Sequence, residues 1–299
     1  MEIYSRLEEI PSGNASEKLT PGCLVLEGGA WRGLYTQGVL DVFMENDLNI
    51  QTVIGTSAGA MAGMSYVSGQ IGRAARFNLR HRHDRHYVGV GALLEDHGIT
   101  GFSYLFRILK EEDPINEERF FDPARRFVVT ATNIETGETE YFDRDACDIE
   151  KAVQASATVP YVSEAVWIGD KRYLDGGIGV KIPYQWALDQ GFEKILVIRT
   201  RDRNFRKPVH RPLGLTRREY RHYPLLKKDL MEEAPRYNVL VDNLNLLEEQ
   251  GRLKVLAPSR PVDIRRFEGD MEVLGDIYFL GRRDALDHLD EIRAYFGGR

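Results

Sequence analysis

At 299 residues, 42% hydrophobic and 29% charged, the chain has the composition of an ordinary globular protein with one large domain or two small ones. A net charge of −6 argues against nucleic acid as a general partner, and two cysteines, Cys23 and Cys147, imply no disulfide framework. The opening stretch MEIYSRLEEIPSGN lacks the basic-then-apolar order of a signal peptide, and no run approaches the ~18 apolar residues of a membrane span, so a cytoplasmic address is expected.

Residues 1–21 are polar and read as an N-terminal arm. Regular structure is expected to begin at Cys23-Leu24-Val25-Leu26, a short apolar run between Pro21-Gly22 and Gly28-Gly29 that reads as a buried strand, with Cys23 as a small core residue. Tyr35, Val39 and Val42, with Leu40 and Phe43 beside them, give helical spacing over residues 33–46. Thr52-Val53-Ile54 is a second strand and residues 58–67 a second helix. Strand, glycine turn, helix, repeated, is the order of a parallel α/β sheet. Residues 127–133 and 138–142 flank Glu135-Thr136-Gly137 as a hairpin, and Asp148 caps a helix that runs to about Ser156 and stops before Pro160. Residues 166–168 and 172–174 flank Gly169-Asp170 as a second hairpin, and residues 194–199 are another buried strand. A helix near 225–250, a strand at Val255-Leu256-Ala257 and helical periodicity to Phe296 complete the reading. The expected organisation is an arm (1–21), a core (22–200) and an extension (201–299) that completes the same domain.

Gly55-Thr56-Ser57-Ala58-Gly59 is a G-x-S-x-G pentapeptide between a strand and a helix. A nucleophilic serine on so sharp a turn needs tiny neighbours two residues to either side, and the helix after it points its N-terminus at the reaction centre. The pentapeptide alone would occur by chance in about one chain in ten of this length, so its strand–helix context carries the weight. Glu27-Gly28-Gly29-Ala30-Trp31-Arg32-Gly33 is the other glycine turn, whose successive N–H groups suit an oxyanion. It half-matches the dinucleotide fingerprint G-x-G-x-x-G, but Ala30 replaces the middle glycine and no acidic residue ends the second strand. Asp175-Gly176-Gly177 follows a strand and offers a base. Ala155-Ser156-Ala157-Thr158-Val159-Pro160 reads as a helix end, structural unless the fold brings it to the site.

EGGAWRG, GTSAG, ASATVP and DGG, in this order over residues 22–200, resemble the patatin-like phospholipase family, and the tail resembles its bacterial branch with a small C-terminal extension. The resemblance implies a three-layer α/β/α fold with a mostly parallel sheet and a helical C-terminal elaboration. It implies a serine acyl hydrolase of lipid esters working by a Ser57–Asp175 dyad. Gly28, Gly29 and Ala30 match the oxyanion loop, followed by Arg32 and Gly33; Gly55 and Gly59 match the elbow; Gly176 and Gly177 match the Asp-Gly-Gly motif. Ala30 stands where the common pattern has a third glycine, and alanine disfavours positive φ. No metal or cofactor is implied.

Competing readings are a Ser-His-Asp triad through His210, His222 or His288, a carrier-protein acyltransferase (though Thr56 stands where those place histidine), and a non-catalytic lipid-binding protein. His81, His83 and His86 lie among arginines that would repel a divalent cation, so residues 80–86 read as a solvated basic turn. Residues 199–228 carry a formal +9 within a chain whose remainder carries −15. They read as an exposed loop first, then as a face for anionic lipid headgroups or a phosphate-bearing substrate, and last, on their interleaved aromatics, as an RNA-binding patch; no nucleic-acid partner is expected. The expected location is cytoplasmic, peripheral to the inner face of the membrane.

Overall fold

The computed structural model describes residues 2–209, 218 and 220–297. Among the described residues, ten strands run in chain order: β1 (Gly13–Asn14), β2 (Thr20–Leu26), β3 (Ile50–Thr56), β4 (Gln70–Ile71), β5 (Arg126–Asn133), β6 (Thr139–Asp143), β7 (Val166–Ile168), β8 (Lys171–Asp175), β9 (Ile195–Ile198) and β10 (Lys254–Leu256). The helices are α1 (Gly33–Glu45), α2 (Ala58–Val67), α3 (Arg73–His81), α4 (Val90–Asp96), α5 (Phe102–Glu112), α6 (Glu117–Phe120), α7 (Ile149–Ser156), α8 (Tyr184–Asp189), α9 (Pro224–Met231), α10 (Glu233–Glu249), α11 (Met271–Asp287) and α12 (Leu289–Tyr295).

One eight-stranded sheet follows the path β10-β9-β2-β3-β5-β8-β7, with β6 also on β5. β10 through β5 are parallel, and β6, β8 and β7 add antiparallel pairings. The expected α/β/α sheet with a C-terminal elaboration is therefore present. Its three layers follow from the period of two along each strand. Leu24 and Leu26 pack with α1, α2 and α11 on one face, whereas Cys23 and Val25 pack with Trp186, Tyr237 and Val241 on the other. Strands buried on both faces show no apolar–polar alternation, which is why they read as continuous apolar runs. Burial pushes the Cys23 thiol far up, so it is an inert core residue.

One region differs from expectation. The arm is not loose: Tyr4, Leu7, Ile10 and Ala15 are buried, β1 pairs with β4, and β2 begins at Thr20, inside the expected arm. Tyr4, Leu7 and Ile10, evenly spaced, together with Ala15 are enough to anchor it, though so short a run sets no pattern that marks an element. The extension is equally integral. The backbones of α1 and α11 touch, because a Cβ on Gly38 would lie 2.1 Å from the Tyr278 carbonyl and one on Gly281 2.1 Å from that of Tyr35. Tyr278 also donates to buried Asp41 at 2.7 Å, and desolvation raises the Asp41 pKa to about 7.

Candidate active site

Strand register sets the site. β3 runs parallel to β5 and ends with Thr56 opposite Thr130; β8 runs antiparallel to β5 and ends with Asp175 opposite Ala131. β6 occupies the other edge of β5 over residues 128–132, so β3 and β8 abut end to end along one shared edge. The residue after Thr56 is Ser57, and the two strand ends bring it against Asp175. The Ser57 hydroxyl donates to Asp175 Oδ2 at 2.8 Å. Threonines on β5 tie the junction: Thr130 Oγ1 lies 2.7 Å from Thr56 Oγ1, and Thr132 Oγ1 donates to the Asp175 carbonyl at 2.9 Å.

Ser57 has φ +54 and ψ −122, a backbone conformation costly for any L-residue. It is imposed by contact: a Cβ on Gly55 would lie 2.6 Å from the Ala60 nitrogen, and one on Gly59 2.5 Å from the Leu26 carbonyl. The helix-end segment that sequence alone leaves structural turns out to hold both residues. Ser57 N–H donates to Ser156 Oγ at 2.8 Å, and Asp175 N–H donates to the Thr158 carbonyl at 2.9 Å. Only the motif resemblance marked that segment; nothing in its periodicity did.

Asp175 Oδ1 accepts from Gly177 N–H at 2.7 Å, and Gly176 packs against Thr130 so closely that a Cβ would lie 2.4 Å from its carbonyl. Burial pushes the Asp175 carboxyl above the ordinary carboxylate range, opposed by the charge of Lys181 and the donors from Gly177 and Ser57. That carboxylate is a stronger base than one in water.

The glycine loop needs one correction. Gly28, expected as an oxyanion donor, gives its N–H to the Lys181 carbonyl at 3.1 Å. Among the described residues, the N–H groups of Gly29 and Ala30 have no acceptor, so the free donors number two rather than three. Ala30 does adopt positive φ, at +48. Gly33 seats the loop on the elbow helix, where a Cβ would lie 2.8 Å from that of Ala58. Glu27 is buried and accepts from Thr200 N–H and, at 2.7 Å, from Tyr237 Oη on α10. Sequence reasoning missed Tyr237, one tyrosine on a helix 210 residues away. Arg32 lines the cavity with its Nε unpartnered; burial, then the charge of Arg201, lowers its pKa to about 10.

These groups open into a cavity of about 620 Å³. Its lining carries apolar Trp31, Leu34, Met61, Tyr87, Phe102 and Val159, of which Trp31, Met61, Tyr87 and Phe102 pack in one cluster, and charged Lys181, Arg201, Lys207, Glu233 and Arg266, of which Glu233 pairs with both lysines.

The described histidines lie elsewhere. His222 faces Arg221, His288 faces Glu291, and His210 lies outside the described residues. His81 contacts Tyr104 and Glu112, His83 the Gly269 carbonyl, and His86 Glu95, each with its own partners. The 80–86 run is not wholly a solvated turn: His81 and Arg82 are buried, and Arg82 covers the Trp31 ring at 4.8 Å while donating to the Phe267 and Glu268 carbonyls. Five backbone-seeking donors on one guanidinium make such burial tolerable. In the basic segment, Arg203 pairs with Glu248, Arg206 with Asp242 at 2.7 Å and Lys207 with Glu233, so part of its +9 is neutralised by the extension. Arg217 lies outside the described residues.

Comparison with known proteins completes the picture. Residues 24–188, more than half of the chain, match the model of the patatin-like phospholipase family, and residues 223–297 match a domain of unknown function, DUF6363. An uncharacterized Escherichia coli protein, YjjU, is 30% identical over 182 residues, covering 59% of this chain and 51% of its own length, so the chain spans about half of that relative. VipD from Legionella pneumophila gives a TM-score of 0.48 at 15% identity over 94% of this chain and 68% of its own. The type III effector protein ExoU gives 0.44 at 13% over 93% and 54%.

Proposed function

The chain belongs to the patatin-like phospholipase family, and from that premise we propose that it is a serine acyl hydrolase cleaving carboxylic esters of lipids with Ser57 as nucleophile and Asp175 as base. The observation that carries this reading is the 2.8 Å hydrogen bond between Ser57 Oγ and Asp175 Oδ2 at a strained elbow that opens into a large half-apolar cavity. Ser57 Oγ attacks the ester carbonyl carbon while its proton passes to Asp175. The N–H groups of Gly29 and Ala30 receive the oxyanion. As the tetrahedral intermediate collapses, the departing alkoxide takes the proton from Asp175. Water then repeats the cycle on the acyl-enzyme, and every proton is accounted for by one carboxyl group. The acyl chain lies along Trp31, Met61 and Phe102 on the apolar side.

No helix among the described residues is long and apolar enough to cross a membrane. The working place we assign is the cytoplasmic face of an anionic membrane, approached through the exposed cations Arg218, Arg221 and Lys228, where each Lys or Arg adds about 1 kcal/mol of attraction. A fluorophosphonate probe tests the core of the reading: it should label wild type at Ser57 and leave Ser57→Ala unlabelled. Labelling that persists in that variant would place the nucleophile elsewhere.

A further inference from the structure

The charged side of the cavity is built from groups that the chemistry at Ser57 does not use. Lys181 follows the Asp-Gly-Gly turn, Arg201 and Lys207 follow β9, and Arg266 comes from the loop before α11. With Arg32 they make five cations on the lining, against two carboxylates, Asp175 and Glu233. Asp175 is committed to Ser57. Glu233 is shared between two lysines, at 2.8 Å from Lys181 and also in contact with Lys207. Arg201 has Asp263 at 3.4 Å, but that carboxylate is 84% exposed, so the pair is weak. Arg32 has its Nε buried without a partner. Among the described residues, the cavity lining therefore holds more positive charge than its carboxylates neutralise.

The like charges feel one another. Lys207 is pushed down to about 8, first by burial and then by the Lys181 charge, with Arg266 adding to it and Glu233 opposing. Lys181 and Arg266 both act on Asp175 in the same direction, favouring the carboxylate. A concave wall of one sign, backed by low-dielectric protein, focuses its field on whatever enters. The site's two halves then sort an ester by its two ends. The acyl chain takes the apolar side, and the alcohol portion, beyond the scissile oxygen, meets the cations.

Building on the acyl-hydrolase reading, we propose that Lys181, Arg201, Lys207 and Arg266 form a headgroup site that selects esters whose alcohol side carries a net negative, phosphate-class group over zwitterionic or neutral ones. A phosphate oxygen satisfies lysine and arginine donors directly. A quaternary ammonium beyond that phosphate meets no free carboxylate among the described residues, because Glu233 is already held by two lysines. Glu233 and Arg266 lie within residues 223–297, so this assigns that stretch of unknown function a part in substrate choice.

The test uses the full chain and two water-soluble esters with the same acyl group, hexanoyl lysophosphatidylglycerol and hexanoyl lysophosphatidylcholine, both monomeric. The expected kcat/KM ratio favours the phosphoglycerol ester at least tenfold. In the double variant Lys207→Gln/Arg266→Gln the ratio should collapse toward one, mainly through KM, and Arg266→Lys, which keeps the charge, should retain most of it. A wild-type ratio near one, or a ratio the double variant leaves intact, overturns the proposal. Titration calorimetry with glycerol 3-phosphate separates this failure from failure of the hydrolase reading, since it needs no turnover. Saturable binding that weakens at least tenfold in the double variant supports the site even if Ser57 proves inert, and no binding overturns it. Inorganic phosphate binding as tightly as glycerol 3-phosphate would make this a free-phosphate site and overturn the headgroup assignment.

Discussion

The two halves of the cavity are made differently. At the reactive edge, Ser57 and Asp175 are placed by backbone: two strand ends abut on β5, and the N–H of each is held by the same segment, Ser156 to Thr158. At the cationic wall, Lys181, Lys207, Glu233 and Arg266 are long side chains from four separate segments, and their relations are electrostatic. Position within a few tenths of an ångström decides a proton transfer, and only hydrogen-bonded backbone supplies that. Charge acts over several ångströms, so a wall of flexible stems suffices for selection. The comparison predicts that damage at the edge falls on kcat and damage at the wall on discrimination between substrates.

The sharpest break is at the edge. Ser57→Ala should abolish turnover of any ester, and Asp175→Asn, which keeps the shape but removes the proton acceptor, should lower kcat by about 10²–10⁴-fold. Single alanine replacements of His210, His222 and His288 should each retain most activity; a histidine variant as inactive as Asp175→Asn would mean a triad.

Backbone placement gives a smaller and more diagnostic effect. Ser156→Ala leaves the Ser57 N–H without its acceptor at a site where a lost partner costs ~1–3 kcal/mol. If that cost appears as misplacement of the nucleophile, kcat falls about 10- to 100-fold with KM little changed. Ser156→Thr, which keeps a hydroxyl, should recover part of it. A rise in KM with kcat preserved would show that the segment binds substrate rather than positioning Ser57.

That same contrast explains what could be read from the sequence. The elbow, the Asp-Gly-Gly turn and the parallel order were legible because backbone constraints leave glycines at fixed spacing and buried strands leave apolar runs. Gly28's N–H was misassigned, since a motif gives the loop but not where each donor points. The wall was legible only in part. Residues 199–228 showed their charge, yet nothing local says that Lys207 meets Glu233 or that the Arg266 charge reaches Asp175. Arg82 and Tyr237 escaped for the same reason, being single side chains whose partners lie 185 and 210 residues away.

The pH profile joins the two halves. Asp175 acts only as the carboxylate, and burial holds its pKa above the ordinary range, so kcat/KM for a neutral ester should fall as pH drops through that raised value. Lys181 opposes the rise, as do the Arg266 charge and the donors from Gly177 and Ser57. Lys181→Met removes a positive charge that favours the carboxylate, so the acid limb should move to higher pH. A limb that stays in place would mean the wall does not reach the base.

The smallest effect tests whether the edge has been optimised for rigidity. Ala30 sits at φ +48, where an L-residue pays ~1–2 kcal/mol relative to its preferred conformations. Glycine there escapes that penalty but loses ~0.5–1 kcal/mol through the greater freedom of its unfolded chain. Ala30→Gly should therefore stabilise the protein by roughly 0.5 kcal/mol, a rise in melting temperature of about 1–2 °C for a domain of this size. Its N–H is unchanged in kind and already lacks an acceptor among the described residues, so kcat should shift by less than about twofold. Calorimetric melting beside steady-state kinetics on one soluble ester measures both. A lower melting temperature would mean that the Ala30 methyl makes packing worth more than the strain. A large loss of kcat with a higher melting temperature would be more telling. It would show that the methyl fixes the direction of the loop's N–H groups, and that an alanine in this loop stiffens the oxyanion donors where a third glycine would leave them freer.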